Sequence, residues 1–193
     1  MQIMRSVLRA CWHLRKNQLT DTASLPVAAV MVWQMLERAH VATGQTVVID
    51  GAAGNVGAFA VQIARSFGAR VIGTARTSAS AARVRERGAD AVIELEAAAG
   101  FAKKAGIVLD TVGGRSHSTL FELIKPPGVI VSSVSRPDRA RAVQAQIRAD
   151  YFITQVNTVS LNRITALVVG GNTYDASGCE VILKRSQNSA RNA

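Results

Sequence analysis

Metal and disulfide chemistry find little to work with in this sequence. Its two cysteines, Cys11 and Cys179, stand far apart and match no ligand spacing, and the three histidines, His13, His40 and His117, are equally scattered. With no Cys/His cluster, no metal site is expected, and a pair of reduced thiols in a cytoplasmic protein is the simplest account. Aromatic residues make up only 5% of the chain and are not interleaved with the basic ones, which disfavours a base-stacking platform for nucleic acid. No apolar run approaches the roughly 20 residues of a bilayer-crossing helix, so no membrane partner is expected. Acids are scarce: 13 Asp and Glu face 23 Lys and Arg, a formal charge of +10. That excess reads as a solvated, arginine-rich surface that also attracts a polyanionic cofactor, with no specific nucleic-acid partner.

What is present is enough apolar material for one domain. The 193 residues are 48% hydrophobic and 19% charged, the balance of a globular chain with a sizeable core. The most informative stretch is Thr46 to Phe67. A β-branched apolar run, Thr46-Val47-Val48-Ile49, predicts a strand buried on both faces. A turn of small residues follows, Gly51-Ala52-Ala53-Gly54-Asn55-Val56-Gly57, and then apolar residues recur at Val56, Phe59, Ala60, Ile63, Ala64 and Phe67 with helical spacing. Strand, glycine turn and helix start, in that order, suit a pyrophosphate, because free N–H groups and the positive end of the helix dipole face the anion. Read as G-x-G-x-x-G, the turn is Ala52-x-Gly54-x-x-Gly57, with alanine in the first glycine's place. Ala53, Gly54, Asn55, Val56 and Gly57 are the expected phosphate cradle. A tight strand-to-helix turn that only needs small residues for packing is the bland alternative.

About twenty residues past such a loop, at the end of the second strand, an Asp or Glu usually holds the ribose 2′-hydroxyl of NAD. Here strand Ala69 to Gly73 runs into Thr74-Ala75-Arg76-Thr77-Ser78, with no acid. A guanidinium beside hydroxyls suits a 2′-phosphate, so Thr74, Arg76 and Thr77 predict NADPH in preference to NADH. The alternative for Arg76 is an ordinary solvated side chain.

The first twenty residues hold four basic side chains and no acid, and lack the apolar centre of a secretory signal. They read as a connecting segment, with a transit peptide the weaker alternative. Asp21 or Thr22 is expected to cap a helix through Ala28, Val32, Met35 and Leu36 to about His40. Beyond the second strand the pattern predicts a helix over 78–87 closed by Gly88, a strand over 91–93, a short helix over 97–104 and a fourth strand over 107–110. A helix over 116–124 should break at Pro126-Pro127-Gly128, before a fifth strand over 129–133. Tyr151 to Gln155 is the expected sixth, ahead of a helix over 158–169. Such alternation predicts an α/β fold, a doubly wound parallel sheet of Rossmann type in three αβα layers. The domain is expected over 23–183, between the basic segment 1–22 and a polar tail 184–193. Ligands lie over the carboxyl ends of such strands, so Thr111, Val112 and Gly113 with Ser132, Ser133 and Val134 should line the nicotinamide half.

Several of these stretches together resemble a known family. Ser24-Leu25-Pro26-Val27-Ala28, Trp33-Gln34, Gly44 to Ile49, the glycine turn, Gly88-Ala89-Asp90, Val108 to Gly114 and Lys125 to Val129 occur in one order. From about Ala23 to Leu183 the chain resembles the cofactor-binding half of medium-chain dehydrogenases/reductases, in the zinc-independent, quinone oxidoreductase-like branch. The resemblance implies hydride transfer from NADPH to a quinone, enal or enone, without a metal. It also implies a homodimer joined sheet edge to sheet edge, through Tyr151 to Gln155 and Glu180 to Leu183.

The departures shape the expectations. The family's N-terminal barrel-like domain, which supplies much of the substrate pocket, is expected to be absent, so a separate catalytic domain or subunit would have to provide it. Met31 precedes Val32-Trp33 where relatives often have a threonine, and Asp50 ends the first strand where they commonly have His, Ser or Thr. A carboxylate there would weaken pyrophosphate binding unless paired or turned away. Ser80 stands at a position that relatives use for a 2′-phosphate ligand, leaving Arg76 as the strong anchor. Two readings stay open: an oxidoreductase, whole or split, and a dinucleotide-binding module without turnover. A methyltransferase on a similar sheet is disfavoured, since the second strand ends without a ribose-binding acid. No catalytic acid, base or nucleophile stands out.

Overall fold

The computed structural model describes residues 25–169. The expected cap at Asp21 or Thr22, the dimer contact expected at Glu180 to Leu183, the tail and both cysteines lie outside them. Six strands, β1 (Thr46–Asp50), β2 (Arg70–Thr74), β3 (Ala91–Ile93), β4 (Ala105–Asp110), β5 (Ile124–Ser132) and β6 (Arg148–Tyr151), form one sheet in the order β3-β2-β1-β4-β5-β6. Every pairing is parallel. Between the strands run α2 (Asn55–Ser66), α3 (Ser78–Glu86), α4 (His117–Leu123) and α5 (Arg139–Gln144); α1 (Val30–Ala39) precedes the sheet and α6 (Thr158–Val169) follows it.

Alternate residues of each strand point to opposite faces, so a doubly covered sheet needs two cores. On one face Val47, Ile49, Val71, Leu109 and Val131 pack against Val32, Met35 and Leu36 of α1, Phe59 and Ile63 of α2, and Leu161 and Ile164 of α6. On the other, Val48, Ile72, Val108 and Ile130 pack against Leu120 and Leu123 of α4 and Ala142 of α5. Phe59 and Ile63 are fully buried, each stabilising the fold by about 1.5–3 kcal/mol. The expected α/β doubly wound sheet with three layers is what forms.

Four elements differ from the reading of the sequence. β5 starts at Ile124 and runs through Pro126 and Pro127, which were expected only to break a helix; a register shift against Ala105 and Ile107 absorbs the interruption. A 3-10 turn, Leu95–Phe101, replaces the expected helix over 97–104. Helix α5 was not expected at all: its sequence RARAVQ buries only Ala142 and shows no apolar stripe. β6 lies at Arg148–Tyr151 rather than Tyr151–Gln155, because an edge strand can be half polar and so does not coincide with the apolar Tyr151-Phe152-Ile153 run.

At the carboxyl edge the apolar pattern stops in one row. Asp50 is in register with Asp110, Asp110 with Ser132, and Ser132 with Tyr151. Thr74 extends the row, its hydroxyl donating to Asp50 Oδ1 at 2.7 Å. Polar side chains thus replace core ones on four neighbouring strands at the level where ligands bind in open α/β sheets.

Candidate functional site

The turn after β1 is built by glycines with distinct tasks. Gly51 adopts φ +77°, and a Cβ there would stand 2.6 Å from Thr111 Oγ1 and 2.7 Å from Val112 Cγ2. The tight turn therefore falls on Gly51, one residue before the expected first motif position. Ala52 is fully buried, and a Cβ on Gly73 would approach its Cβ to 2.8 Å, so β2 also leaves room for the turn. Gly54 N–H closes the turn on Gly51 O at 2.9 Å. Gly57 is the most confined, with a hypothetical Cβ 2.1 Å from Gly51 O. Helix α2 is thereby pressed against the strand end.

The two helix starts beside β1 and β2 differ. At α2 the cap residue, Gly54, offers no side-chain hydrogen bond. At α3, Thr77 and Ser80 form a capping box: Ser80 N–H donates to Thr77 Oγ1 at 3.2 Å and Thr77 N–H to Ser80 Oγ at 3.1 Å. Uncapped N–H groups at a helix start are what an anion completes. The chemistry of α2 fits a phosphate, whereas that of α3 is already satisfied.

This rearranges the hydroxyls expected to hold a 2′-phosphate. Thr74 is buried, and its hydroxyl accepts from Gly51 N–H at 3.0 Å while donating to Asp50. Thr77 and Ser80 are occupied by the cap. Arg76 remains exposed, with no hydrogen bond or ion pair among the described residues. A second guanidinium was missed: Arg87 Nη1 lies 3.4 Å from Ala53 O on the glycine turn. Nothing in its position, at the end of a basic helix, distinguished it from Arg83 or Arg85.

Asp50 turns away from the turn, into the polar row. It is 4% exposed, and its Oδ2 has no hydrogen-bond partner among the described residues. Burial, opposed by the Thr74 hydrogen bond and assisted by the nearby charge of Asp110, pushes its carboxyl above the usual 3.8.

On the other side, the turns after β4 and β5 lie together. Gly113 has φ +75°, and a Cβ there would meet Ser135 Oγ at 2.8 Å and Val134 Cγ1 at 2.9 Å. Thr111 Oγ1 donates to Asp50 O at 2.6 Å, tying this turn to β1. Ser132 is buried, and Ser133 Oγ is enclosed without a hydrogen-bond partner among the described residues. Val112 and Val134 stand out instead, 53% and 49% exposed. The residues expected to hold the two halves of the ligand therefore flank the α2 N-terminus, with Thr74 and Ser132 working inside the protein instead of at its surface.

Residues 55–137 match the zinc-binding dehydrogenase family. Over those residues, somewhat under half of the chain, it is similar to a zinc-binding dehydrogenase domain. Its relatives include the acryloyl-coenzyme A reductase of Metallosphaera sedula, 42% identical over 91 residues, 46% of this chain and 27% of that protein. Among solved structures, the quinone oxidoreductase of Coxiella burnetii matches with a TM-score of 0.70 and 29% identity, over 78% of this chain and 49% of that one. A cobalt- and zinc-bound alcohol dehydrogenase from Pyrobaculum aerophilum matches with a TM-score of 0.71 and 30% identity, over 81% and 48%. The chain thus spans about half the length of these structures, and what it matches is their cofactor-binding part. The family is one of nicotinamide-dinucleotide-binding oxidoreductases, and the resemblance to medium-chain dehydrogenases/reductases holds for this domain. Among the described residues no three His, Cys, Asp or Glu side chains gather closely enough to share a metal ion. The zinc of the family's name finds no ligand set in residues 25–169. No helix of the described residues is long and apolar enough to cross a membrane.

Proposed function

We propose that this chain binds NADPH and presents its nicotinamide for hydride transfer to a quinone, enal or enone. The observation that carries the reading is the uncapped start of α2, pressed onto β1 at Gly57, with the unpaired Arg76 one strand away. The N–H groups of Val56 and Gly57 receive the pyrophosphate and Arg76 the 2′-phosphate. The turns carrying Val112 and Val134 give the nicotinamide an apolar seat that excludes water. The bound cofactor supplies the hydride; the chain supplies orientation and electrostatics.

The substrate side belongs, in this reading, to a separate domain or subunit. A second copy would join at the outer edge of β6, which pairs only with β5 among the described residues. There Arg38, Arg148 and Tyr151 help line a groove of about 910 Å³, with Ile153 and Val159 exposed beside it. A cytoplasmic location goes with the same reading. The alternative is a dinucleotide-binding module without turnover.

NADPH at a hundredfold its dissociation constant adds about 2.7 kcal/mol. For a chain of this size that raises the melting temperature by about 5–10 °C. No shift with either NADPH or NADH would remove the reading. Arg76→Ala is expected to weaken NADPH binding by about tenfold or more while leaving NADH unchanged, the loss of one charge-assisted contact; equal affinities before and after would return Arg76 to the solvated surface. NADPH oxidation with a panel of small quinones then separates enzyme from module: binding without oxidation favours the module.

A further inference from the structure

Asp110 ends β4 fully buried, and four donors from three parts of the chain converge on its carboxylate. Val112 N–H and Gly113 N–H reach Oδ1 at 3.0 and 2.7 Å. Ser132 Oγ, from β5, and His117 Nε2, from the start of α4, reach Oδ2 at 2.6 Å each. Ser132 Oγ in turn accepts from Val134 N–H at 3.3 Å and Ser135 N–H at 3.2 Å, and Ser135 Oγ accepts from Gly114 N–H at 3.3 Å. The two half-exposed valines are therefore tethered by their own amides to one side chain: Val112 directly, Val134 through the Ser132 hydroxyl. Each keeps its apolar side chain outward while its backbone is drawn into the sheet edge.

We propose that Asp110, Ser132 and His117 are positioning residues for the nicotinamide half of the ligand, setting the spacing of a two-valine platform formed by Val112 and Val134. This rests on the dinucleotide reading given above. The physical reason is rigidity. Two turns joined only by their strands would move independently, whereas a shared, charge-assisted acceptor in a dry site holds both. His117 closes the network from the helix side; it begins α4, and its side chain is only 14% exposed. The network has no contact with Arg76 or with the start of α2 through any of these bonds, so its influence should be confined to one end of a dinucleotide.

That confinement gives the test. In the full 193-residue chain, titrate NADPH and, separately, 2′-phosphoadenosine diphosphoribose, the same molecule without its nicotinamide. His117→Leu removes one donor and is expected to weaken NADPH binding by about tenfold while leaving the truncated ligand within about twofold. His117→Gln, whose amide nitrogen can donate to Asp110, is expected to recover most of the loss. Ser132→Ala, which removes a single oxygen and cuts the tether to Val134, should reproduce the selective loss even where His117→Leu fails to fold. Equal weakening of both ligands, no weakening, or no recovery with glutamine overturns the proposal and assigns the cluster to stability alone. Wild-type chain that binds neither ligand overturns the dinucleotide reading as well; wild-type chain that binds both, with a uniform response in the variants, overturns only the positioning role.

Discussion

Gly57→Ala is expected to lower the melting temperature by about 6–12 °C and to abolish the response to NADPH. The new methyl would lie 2.1 Å from Gly51 O and 2.6 Å from Ala52 Cα, both backbone atoms of the turn. Neither can rotate aside as a flexible side chain would, so α2 must move off β1. Overpacking of this kind costs about 3 kcal/mol, and each kcal/mol shifts the transition of a chain this size by about 2–4 °C. Gly54→Ala makes the control: its Cβ would sit 3.3 Å from Gly51 O, tight but within reach of a small adjustment. A melting curve for Gly57→Ala within about 2 °C of wild type would show that the helix start is not pressed on the strand.

Asp50→Asn should act in the opposite direction. Burial raises the Asp50 carboxyl above its ordinary value of 3.8, so the folded state holds this proton more tightly than the unfolded chain. Its contribution to stability is then fully present below the unfolded value and is lost as pH rises through the raised one. Above that raised value the wild type carries a buried carboxylate whose Oδ2 has no hydrogen-bond partner among the described residues, beside the charge of Asp110. Asparagine keeps the acceptor for Thr74 without a charge, which is expected to stabilise the chain at alkaline pH by about 1–2 kcal/mol, or about 2–8 °C. The difference should close as pH falls toward 4. Denaturation at several pH values checks this: parallel curves for the two proteins, or a less stable variant at alkaline pH, would contradict it.

The sequence was most legible where short-range rules dominate. β1, α2 and β2 follow from β-branched runs and helical spacing, and the buried set Phe59, Ala60, Ile63 and Ala64 was anticipated. The helix over 158–169 was placed with the bounds it has. What escaped depends on partners far away in the chain. Thr74 read as a phosphate ligand because its bond to Asp50, 24 residues earlier, leaves no local trace. Asp50 read as a liability because its register beside Asp110 is a property of the sheet. His117 stood alone in sequence, yet it meets Asp110 only seven residues away, once a turn with two positive-φ glycines folds back on itself. Thr77 illustrates a milder error: its hydroxyl was noticed, but a capping box three residues long explains it without a ligand.

The contrast between the two neighbouring helix starts decides which way round a long ligand can lie. One start is open and the next is sealed by its own hydroxyls, so the negatively charged waist of a dinucleotide has a single berth. Its two ends must then fall to opposite sides, one toward an arginine and the other toward a pair of valines. Reversed, a phosphate ester would be set against hydrocarbon and an aromatic ring against a cation's hydration shell. If the proposed binding mode holds, main-chain geometry imposes its polarity before either terminal group is recognised.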